Sequence, residues 1–322
     1  MTSSLEDPAA EPASAFDLPA LVRRLHEAYE AGQPLEAGLA RPAGWGDAVQ
    51  ALIASGQFEV ARHALPALQA AFAGHGYFQS AGRLMDLIPA SDGSIFIDDR
   101  EAGCQLVPHP GADTLLFAFT AGGRLGLPVA AVHRFLHGLG VHLAYLRDPG
   151  ARMYMRGVRD LAPTYAGSLE AMRGIARELG VRRILSLGLS NSGYAALRYG
   201  LDLKAEAAIA FSPTTFVPPQ RLEPSAVELR KRGVADITAR ELAELDLAPR
   251  IVEAGGATRL RIVFAEQNPA DRLQAEHVEG LPGVTLERLP AASHNALYTS
   301  VMSGRFPAQL GWLTGEDESA GR

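Results

Sequence analysis

Two serines stand two residues apart in the segment GLSNSG, residues 188–193. An apolar run precedes this segment and helix-favouring residues follow it, so the pattern predicts a strand, a sharp turn and a helix. A nucleophilic serine on such a turn needs small residues two positions before and after it, because the backbone is crowded there. Ser190 meets this requirement with Gly188 and Ser192, whereas Ser192 is followed two positions later by the bulky Tyr194. We therefore predict that Ser190 is a nucleophile.

A serine hydroxyl is a weak nucleophile at neutral pH and needs a base within hydrogen-bonding distance. Of the nine histidines, His294 has the most suitable position. It lies in the small-residue segment LPAASHNAL, just past the last predicted strand and before a final helix. A base at this position can reach a serine at the end of a central strand. We predict His294 as the base, and a surface or helix-capping histidine is the alternative.

The elements that must position these residues alternate between strands and helices from residue 94 onward. This alternation predicts an α/β protein with a mostly parallel sheet that is covered by helices on both faces. Ligands of such sheets bind beyond the C-terminal ends of the strands, so the loops after these ends are where chemistry is expected. The predicted strands are 94–97, 104–107, 114–119, 141–146, 184–187, 207–211, 260–265 and 284–289, and the predicted helices between them include 128–137, 168–179 and 193–199.

The N-terminal part has a different pattern. Residues 1–16 are rich in Ala, Ser, Pro and Glu, which is typical of a disordered tail. Residues 17–90 show helical periodicity, and the segments GQFEVARHALPAL and GYFQSAGRLMDLI weakly resemble tetratricopeptide-type helix pairs. We expect a helical extension packed on a catalytic domain at 91–314, with a partner-docking or dimerising module as the alternative. A small cap is predicted at 214–250 and a flexible tail at 315–322.

The order of the GLSNSG turn, a later acidic loop and a late histidine resembles the α/β-hydrolase superfamily, from about Ser94 to about Trp312. The segments LLFAFTAGGRLGLP, VHLAYLRDP and AAIAFSP are similar to strands three, four and six of that fold with their loops. The resemblance implies an α/β-hydrolase fold, and the helical periodicity of residues 17–90 predicts an all-helical extension before it. It departs from the usual G-x-S-x-G pattern because Ser192 replaces the second glycine, and it indicates no particular substrate family.

The resemblance also implies an oxyanion hole made of two backbone N–H groups. One belongs to the residue after the nucleophile, which is Asn191, at the start of a helix whose dipole favours negative charge. The other is expected in the loop after the predicted strand 114–119. Ala121 is the preferred donor there and Gly122 is the next choice, while a plain flexible loop is the alternative.

The resemblance implies a third member, a carboxylate that orients the histidine and stabilises its cation. After the strand at 207–211 no carboxylate occurs before Glu223, so the loop AEQNPADR after the next strand is the better source. It offers Glu266 and Asp271. We prefer Asp271, because its short side chain follows a proline-containing turn that can direct it towards the histidine. Asp271 with Gln274 three residues later also fits a helix-capping pattern, and Glu266 remains the alternative acid.

Two further polar pairs have simpler interpretations. Arg147 and Asp148 end a predicted strand at the same edge, where they either line a pocket or pair with each other, and we favour a structural role. His133 and His137 lie four residues apart on one predicted helix. This spacing suits a metal-binding face, but no third ligand is evident, so we favour a partly exposed helix face.

Composition limits the partners and the compartment. The net charge is −6 and no dense Lys/Arg cluster occurs, so nucleic acid and anionic membranes are not expected as main partners. No apolar run is long enough for a transmembrane helix, and the acidic N-terminus lacks the features of a secretory signal. The single cysteine, Cys104, cannot form an internal disulfide, which suits a cytoplasmic protein.

These features predict a serine hydrolase that cleaves an ester, thioester or amide bond through an acyl-enzyme on Ser190. In this mechanism His294 transfers the proton and Asp271 orients the imidazole, while the N–H groups of Asn191 and Ala121 stabilise the oxyanion. The chemistry requires no metal or organic cofactor, and the expected partner is a small-molecule or acylated substrate. The N-terminal helices suggest a possible homo-oligomer or protein partner. An acyltransferase with the same residues and a non-catalytic scaffold are the alternatives.

Overall fold

The computed structural model describes residues 17–38, 40–91, 93, 96–121, 124–149, 152–218, 227 and 238–316. The chain divides into two compact units, Met1–Met85 and Asp86–Arg322. The predicted tail at 1–16, residues 219–226 and 228–237 of the predicted cap, and residues 317–322 of the predicted C-terminal tail lie outside the described residues. None of the helices in the described part of the chain has the length and apolarity needed to cross a membrane.

The first unit is helical, as predicted. Its apolar stripes turn inward and bury large side chains completely, among them Leu25, Trp45 and Phe78. The two segments with the repeated glycine-aromatic pattern form its third and fourth helices. The helices are α1 (Leu18–Glu30), α2 (Pro42–Ala54), α3 (Phe58–Ala71) and α4 (Gly76–Leu87), the last of which ends two residues beyond the unit.

The second unit is built on a seven-stranded sheet with the order β1-β3-β2-β4-β5-β6-β7. Its first strand pairs antiparallel with β3, and all other neighbours are parallel, which confirms the predicted mostly parallel sheet. The predicted strand at 94–97 is wrong where it is described, because Phe96 and Ile97 belong to no strand. The strands are β1 (Cys104–Val107), β2 (Thr114–Ala121), β3 (His142–Asp148), β4 (Arg183–Leu189), β5 (Ala207–Phe211), β6 (Arg259–Ala265) and β7 (Val284–Leu289).

Helices connect the strands from β2 to β7, and two more helices of the described part follow β7. The helix predicted at 193–199 is longer at both ends, since it begins at Ser190 itself and continues past Gly200 to Asp202. Gly200 does not end the helix; a Cβ atom there would lie 2.7 Å from the Ser186 hydroxyl, so glycine allows the helix to approach β4. The helices are α5 (Val129–His137), α6 (Tyr165–Glu178), α7 (Ser190–Asp202), α8 (Ala239–Ala243), α9 (Ala248–Ala254), α10 (Pro269–Glu276), α11 (Ala296–Met302) and α12 (Phe306–Thr314).

The central strands are buried on both faces, as expected for parallel strands between helices. β2 is buried from Thr114 to Thr120, and every residue of β5 is buried. The register places Leu189, the last residue of β4, opposite Phe211, the last residue of β5, which in turn pairs with Val263 in β6. The C-terminal ends of these strands therefore lie close together at one edge of the sheet.

Candidate active site

The candidate nucleophile lies on a strained turn. Ser190 directly follows β4, begins α7 and has a φ of +55°, a left-handed conformation that is uncommon for a residue with a side chain. A Cβ atom on Gly188 would lie 2.2 Å from the backbone oxygen of Ser192. Only glycine therefore fits two positions before Ser190, which is the steric requirement that the sequence pattern predicts.

The second serine of the segment has a structural environment. Ser192 is buried, and its hydroxyl donates to the Leu189 carbonyl at 2.7 Å and accepts from the Leu189 N–H at 3.2 Å. These two hydrogen bonds stabilise the turn between β4 and α7. A Cβ atom on Gly193 would lie 3.0 Å from the Cβ atom of Pro213, so glycine there lets α7 pack closely against the segment after β5.

The structure brings the predicted nucleophile, base and acid together. The Nε2 atom of His294 lies 2.9 Å from the hydroxyl of Ser190, and its Nδ1 atom lies 2.6 Å from Oδ1 of Asp271. A proton on Nδ1 is donated to the carboxylate, which leaves Nε2 as the acceptor for the serine proton. The three residues follow β4, β7 and β6, so one edge of the sheet positions all of them.

The base and the acid differ in burial. The side chain of His294 is 55 % exposed, whereas that of Asp271 is 2 % exposed. The hydrogen bond to Asp271 raises the pKa of His294 above its ordinary value, while burial acts in the opposite direction. The imidazole thus remains open to a substrate and to water on one side, and a buried negative charge makes it a stronger base.

The helix-capping alternative for Asp271 is wrong. The N-cap of α10 is Asn268, whose side chain accepts from the N–H groups of Ala270 and Asp271. Asp271 is the third residue of the helix, and its carboxylate is directed to His294 instead. The other candidate acid, Glu266, is exposed, and its N–H donates to the carbonyl of Leu289.

The two predicted oxyanion donors have different environments. Asn191 is the second residue of α7, so its N–H belongs to the first turn, where no intrahelical acceptor is available. The N–H of Ala121 donates to the carbonyl of Arg124 at 2.9 Å, and the N–H of Arg124 donates back at 3.1 Å. In this conformation Ala121 does not present a free donor. The next choice, Gly122, lies outside the described residues.

Arg147 and Asp148 do not pair with each other. The buried guanidinium of Arg147 donates to Asp98 at 2.5 Å and to the side-chain oxygen of Gln105 at 2.9 Å. The carboxylate of Asp148 accepts from the N–H of Tyr154 at 3.0 Å. Both side chains thus tie neighbouring loops to the end of β3, and these contacts support a structural role.

The histidine pair on α5 also has a structural environment. The Nδ1 atom of His133 lies 2.8 Å from the Tyr145 hydroxyl, and its ring stacks on Phe96 at 3.9 Å between centroids. His133 is 4 % exposed, so the interpretation as a partly exposed helix face is wrong for this residue. No group of three or more His, Cys, Asp or Glu side chains suited to a metal ion occurs among the described residues.

Sequence reasoning missed two residues that contact the triad or its loops. The hydroxyl of Ser212 donates to Oδ2 of Asp271 at 2.6 Å. The side chain of Asn295 caps α11 and donates to the Gly126 carbonyl at 2.8 Å, which ties the segment after the base to the loop after β2. A polar residue immediately after a central strand was the available signal for Ser212.

No protein-family model and no curated protein matches the chain. Solved structures do match it. The structure of 2,6-dihydroxy-pseudo-oxynicotine hydrolase is similar over 94% of this chain and 89% of its own length, with a TM-score of 0.52 and 15% identity. A match of that extent includes much of the helical N-terminal unit as well as the sheet.

Other solved structures match a smaller share of the chain. An α/β hydrolase from the sediment metagenome of the Mar Chica lagoon, Morocco, matches 67% of this chain and 97% of its own, with 12% identity and a TM-score of 0.46. A structure from work on carboxylesterases of the thaumarchaeon Nitrososphaera gargenis matches 67% of this chain and 95% of its own, with 13% identity and a TM-score of 0.46. The chain has the α/β-hydrolase fold, as predicted, with helices preceding it.

Proposed function

We propose that this protein is a serine hydrolase that cleaves an ester, thioester or amide bond through an acyl-enzyme on Ser190. One observation carries the proposal. An unbroken chain of hydrogen bonds runs from the hydroxyl of Ser190 through the imidazole of His294 to the buried carboxylate of Asp271, with distances of 2.9 Å and 2.6 Å. The strained backbone of the nucleophile supports it, because such strain persists where a side chain must be presented in one direction.

The reaction follows from this geometry. The Ser190 oxygen attacks the substrate carbonyl carbon while its proton passes to Nε2 of His294, and the carbonyl oxygen becomes an oxyanion. The N–H of Asn191, at the positive end of α7, is positioned to stabilise that charge. The oxyanion then collapses, the bond to the leaving group breaks, and His294 returns the proton to the leaving group.

Deacylation uses the same residues. His294 removes a proton from water, the resulting hydroxide attacks the acyl carbon, and the bond to the Ser190 oxygen breaks as that oxygen recovers a proton from the imidazole. The half-exposed face of His294 supports hydrolysis, because water can approach the imidazole. Product analysis with and without an alcohol acceptor distinguishes hydrolysis from acyl transfer.

A fluorophosphonate probe tests the proposal directly. We expect a covalent adduct on Ser190 in peptide mass mapping, none on the buried Ser192, and complete loss of labelling in Ser190→Ala. Ser186→Ala is the matched control, because it also removes a buried serine hydroxyl from this part of the fold, one that donates to the Ala196 carbonyl away from the triad. An adduct on Ser192, or no adduct on the folded protein, would show that the proposal is wrong.

A further inference from the structure

The carboxylate of the proposed acid has a second partner besides the histidine. Ser212 immediately follows β5, is 1 % exposed, and donates its hydroxyl proton to Oδ2 of Asp271 at 2.6 Å. The other oxygen, Oδ1, faces His294. A buried carboxylate is stable only if its oxygens accept hydrogen bonds. Two donors on two different oxygens also fix the rotation of the carboxylate about its side chain.

The backbone of Ser212 gives an independent argument. Its φ is +41°, in the left-handed region where a residue with a side chain is strained and glycine is not. Its N–H donates to the Val263 carbonyl at 2.7 Å, a bond that any residue except proline would make. The turn itself therefore favours glycine. A serine at this position keeps the backbone strain, but unlike glycine it has a hydroxyl that donates to Asp271.

The residues that follow Ser212 hold the acid-bearing helix and the nucleophile in one framework. The N–H groups of Thr215 and Phe216 both donate to the side-chain oxygen of Gln274 on α10, at 2.6 Å and 3.1 Å. The N–H of Thr214 donates to the backbone oxygen of Ser190 at 3.3 Å. This short segment therefore contacts the nucleophile at one end and the acid helix along its length, which keeps Ser212 in a fixed position relative to both.

We propose that Ser212 is a positioning residue, whose hydroxyl holds the Asp271 carboxylate in the orientation that accepts the Nδ1 proton of His294. The proposal rests on the proposed function, since it assigns a role within the same triad. It predicts that loss of the hydroxyl weakens the alignment of His294 without removing any group that touches the substrate.

Two variants separate positioning from structural support. Ser212→Ala removes the hydroxyl and keeps the strain, whereas Ser212→Gly removes the hydroxyl and relieves the strain. We expect both to lower the second-order rate of Ser190 labelling by fluorophosphonate about tenfold, the scale of one lost hydrogen bond to a charged group. Thermal denaturation should show that the glycine variant is the more stable of the two. Ser186→Ala, the matched loss of a buried hydroxyl, should stay within about twofold of the wild-type rate.

The pH dependence of labelling provides a readout that a structural role would not change. Labelling requires neutral His294, so its rate falls as pH falls through the pKa of that residue. The hydrogen bond to Asp271 holds this pKa up, and Asp271 is the charged group that acts on it among the described residues. Without the Ser212 hydroxyl, the Asp271 carboxylate is held less firmly against His294. The midpoint of the labelling rate should therefore shift to lower pH in both Ser212 variants, whereas it should stay unchanged in Ser186→Ala.

The outcomes are distinguishable. If wild-type protein is not labelled at Ser190, the proposed function fails and the role of Ser212 fails with it. If wild-type protein is labelled but Ser212→Gly reacts at the wild-type rate with an unchanged midpoint, only the positioning role is refuted. A slower rate in Ser212→Ala alone, with full activity in the glycine variant, would also refute it, because strain and not the hydroxyl would then explain the difference.

Discussion

Replacing Asp271 with asparagine removes one negative charge and changes few atoms. In the wild-type protein both carboxylate oxygens accept hydrogen bonds, Oδ1 from His294 and Oδ2 from Ser212. An asparagine offers one acceptor and one donor. If its oxygen faces His294, the imidazolium that forms during acylation has no opposite charge beside it. If its amide NH₂ faces His294, the ring must adopt the other tautomer and Nε2 can no longer accept the serine proton.

The magnitude follows from the geometry. Opposite charges about 4 Å apart in a protein environment of effective dielectric constant about 20 attract by about 4 kcal/mol. Each tenfold change in rate corresponds to about 1.4 kcal/mol, so loss of this attraction in the transition state costs about a thousandfold. Solvent screening at the half-exposed imidazole makes this loss of rate smaller. The wrong tautomer makes it larger, towards the roughly ten-thousandfold loss that the same substitution causes in a well-studied triad. We therefore expect Asp271→Asn to label at Ser190 about a thousandfold more slowly.

Glu266→Gln provides the matched control, since it makes the same chemical change on the exposed alternative acid. We expect its labelling rate to stay within about twofold of wild type. Thermal denaturation of both variants should show folded protein, so that the rates are comparable. A near wild-type rate for Asp271→Asn would refute the assignment, and if Glu266→Gln also lost its labelling, the acid role would move to Glu266.

The remaining predictions concern pH, packing and the N-terminal unit. The rate of Ser190 labelling should fall with decreasing pH, with a midpoint above about 6.5 because the bond to Asp271 raises the pKa of His294; a midpoint below 6.5 would contradict this. Gly188→Ala should lower the melting temperature by several degrees and abolish labelling, because its Cβ would overlap the next turn; Gly174→Ala, where the nearest atom is 3.9 Å away, is the control, and equal behaviour of the two would refute the steric argument. Protein that begins near residue 90 and remains folded should still label, and loss of labelling would show that the N-terminal helices help to build the site.

The parts of the site that the sequence predicted depend on local pattern. The segment around Ser190 is recognisable because steric crowding acts between residues two positions apart, so a short sequence pattern is enough to predict the turn. The strand and helix pattern likewise predicted the sheet, since periodicity is a local property. The choice of His294 needed only the order of elements, because the ends of parallel strands meet at one edge of the sheet.

The parts that the sequence did not reveal depend on contacts between distant segments. The N-cap is Asn268 and not Asp271, because the helix begins three residues earlier than the capping pattern required. Ser212 acts on a residue 59 positions away, and no pattern near it indicates that distance. Arg147, in β3, donates to the carboxylate of Asp98, which lies 49 positions earlier in the chain, in the segment before β1. Such pairings follow from the register of the sheet, which periodicity does not specify.

The separation of the proposed triad along the chain has a consequence for how the site forms during folding. Ser190 and His294 hydrogen-bond across 104 residues, and the strands between them pair in parallel. Parallel pairing must close long loops before it gains contacts, so it forms late and slowly compared with helices. A reactive serine therefore reports that the ladder from β4 to β7 is complete. During refolding, labelling of Ser190 should recover more slowly than the helical circular dichroism signal, and simultaneous recovery would contradict this order of events.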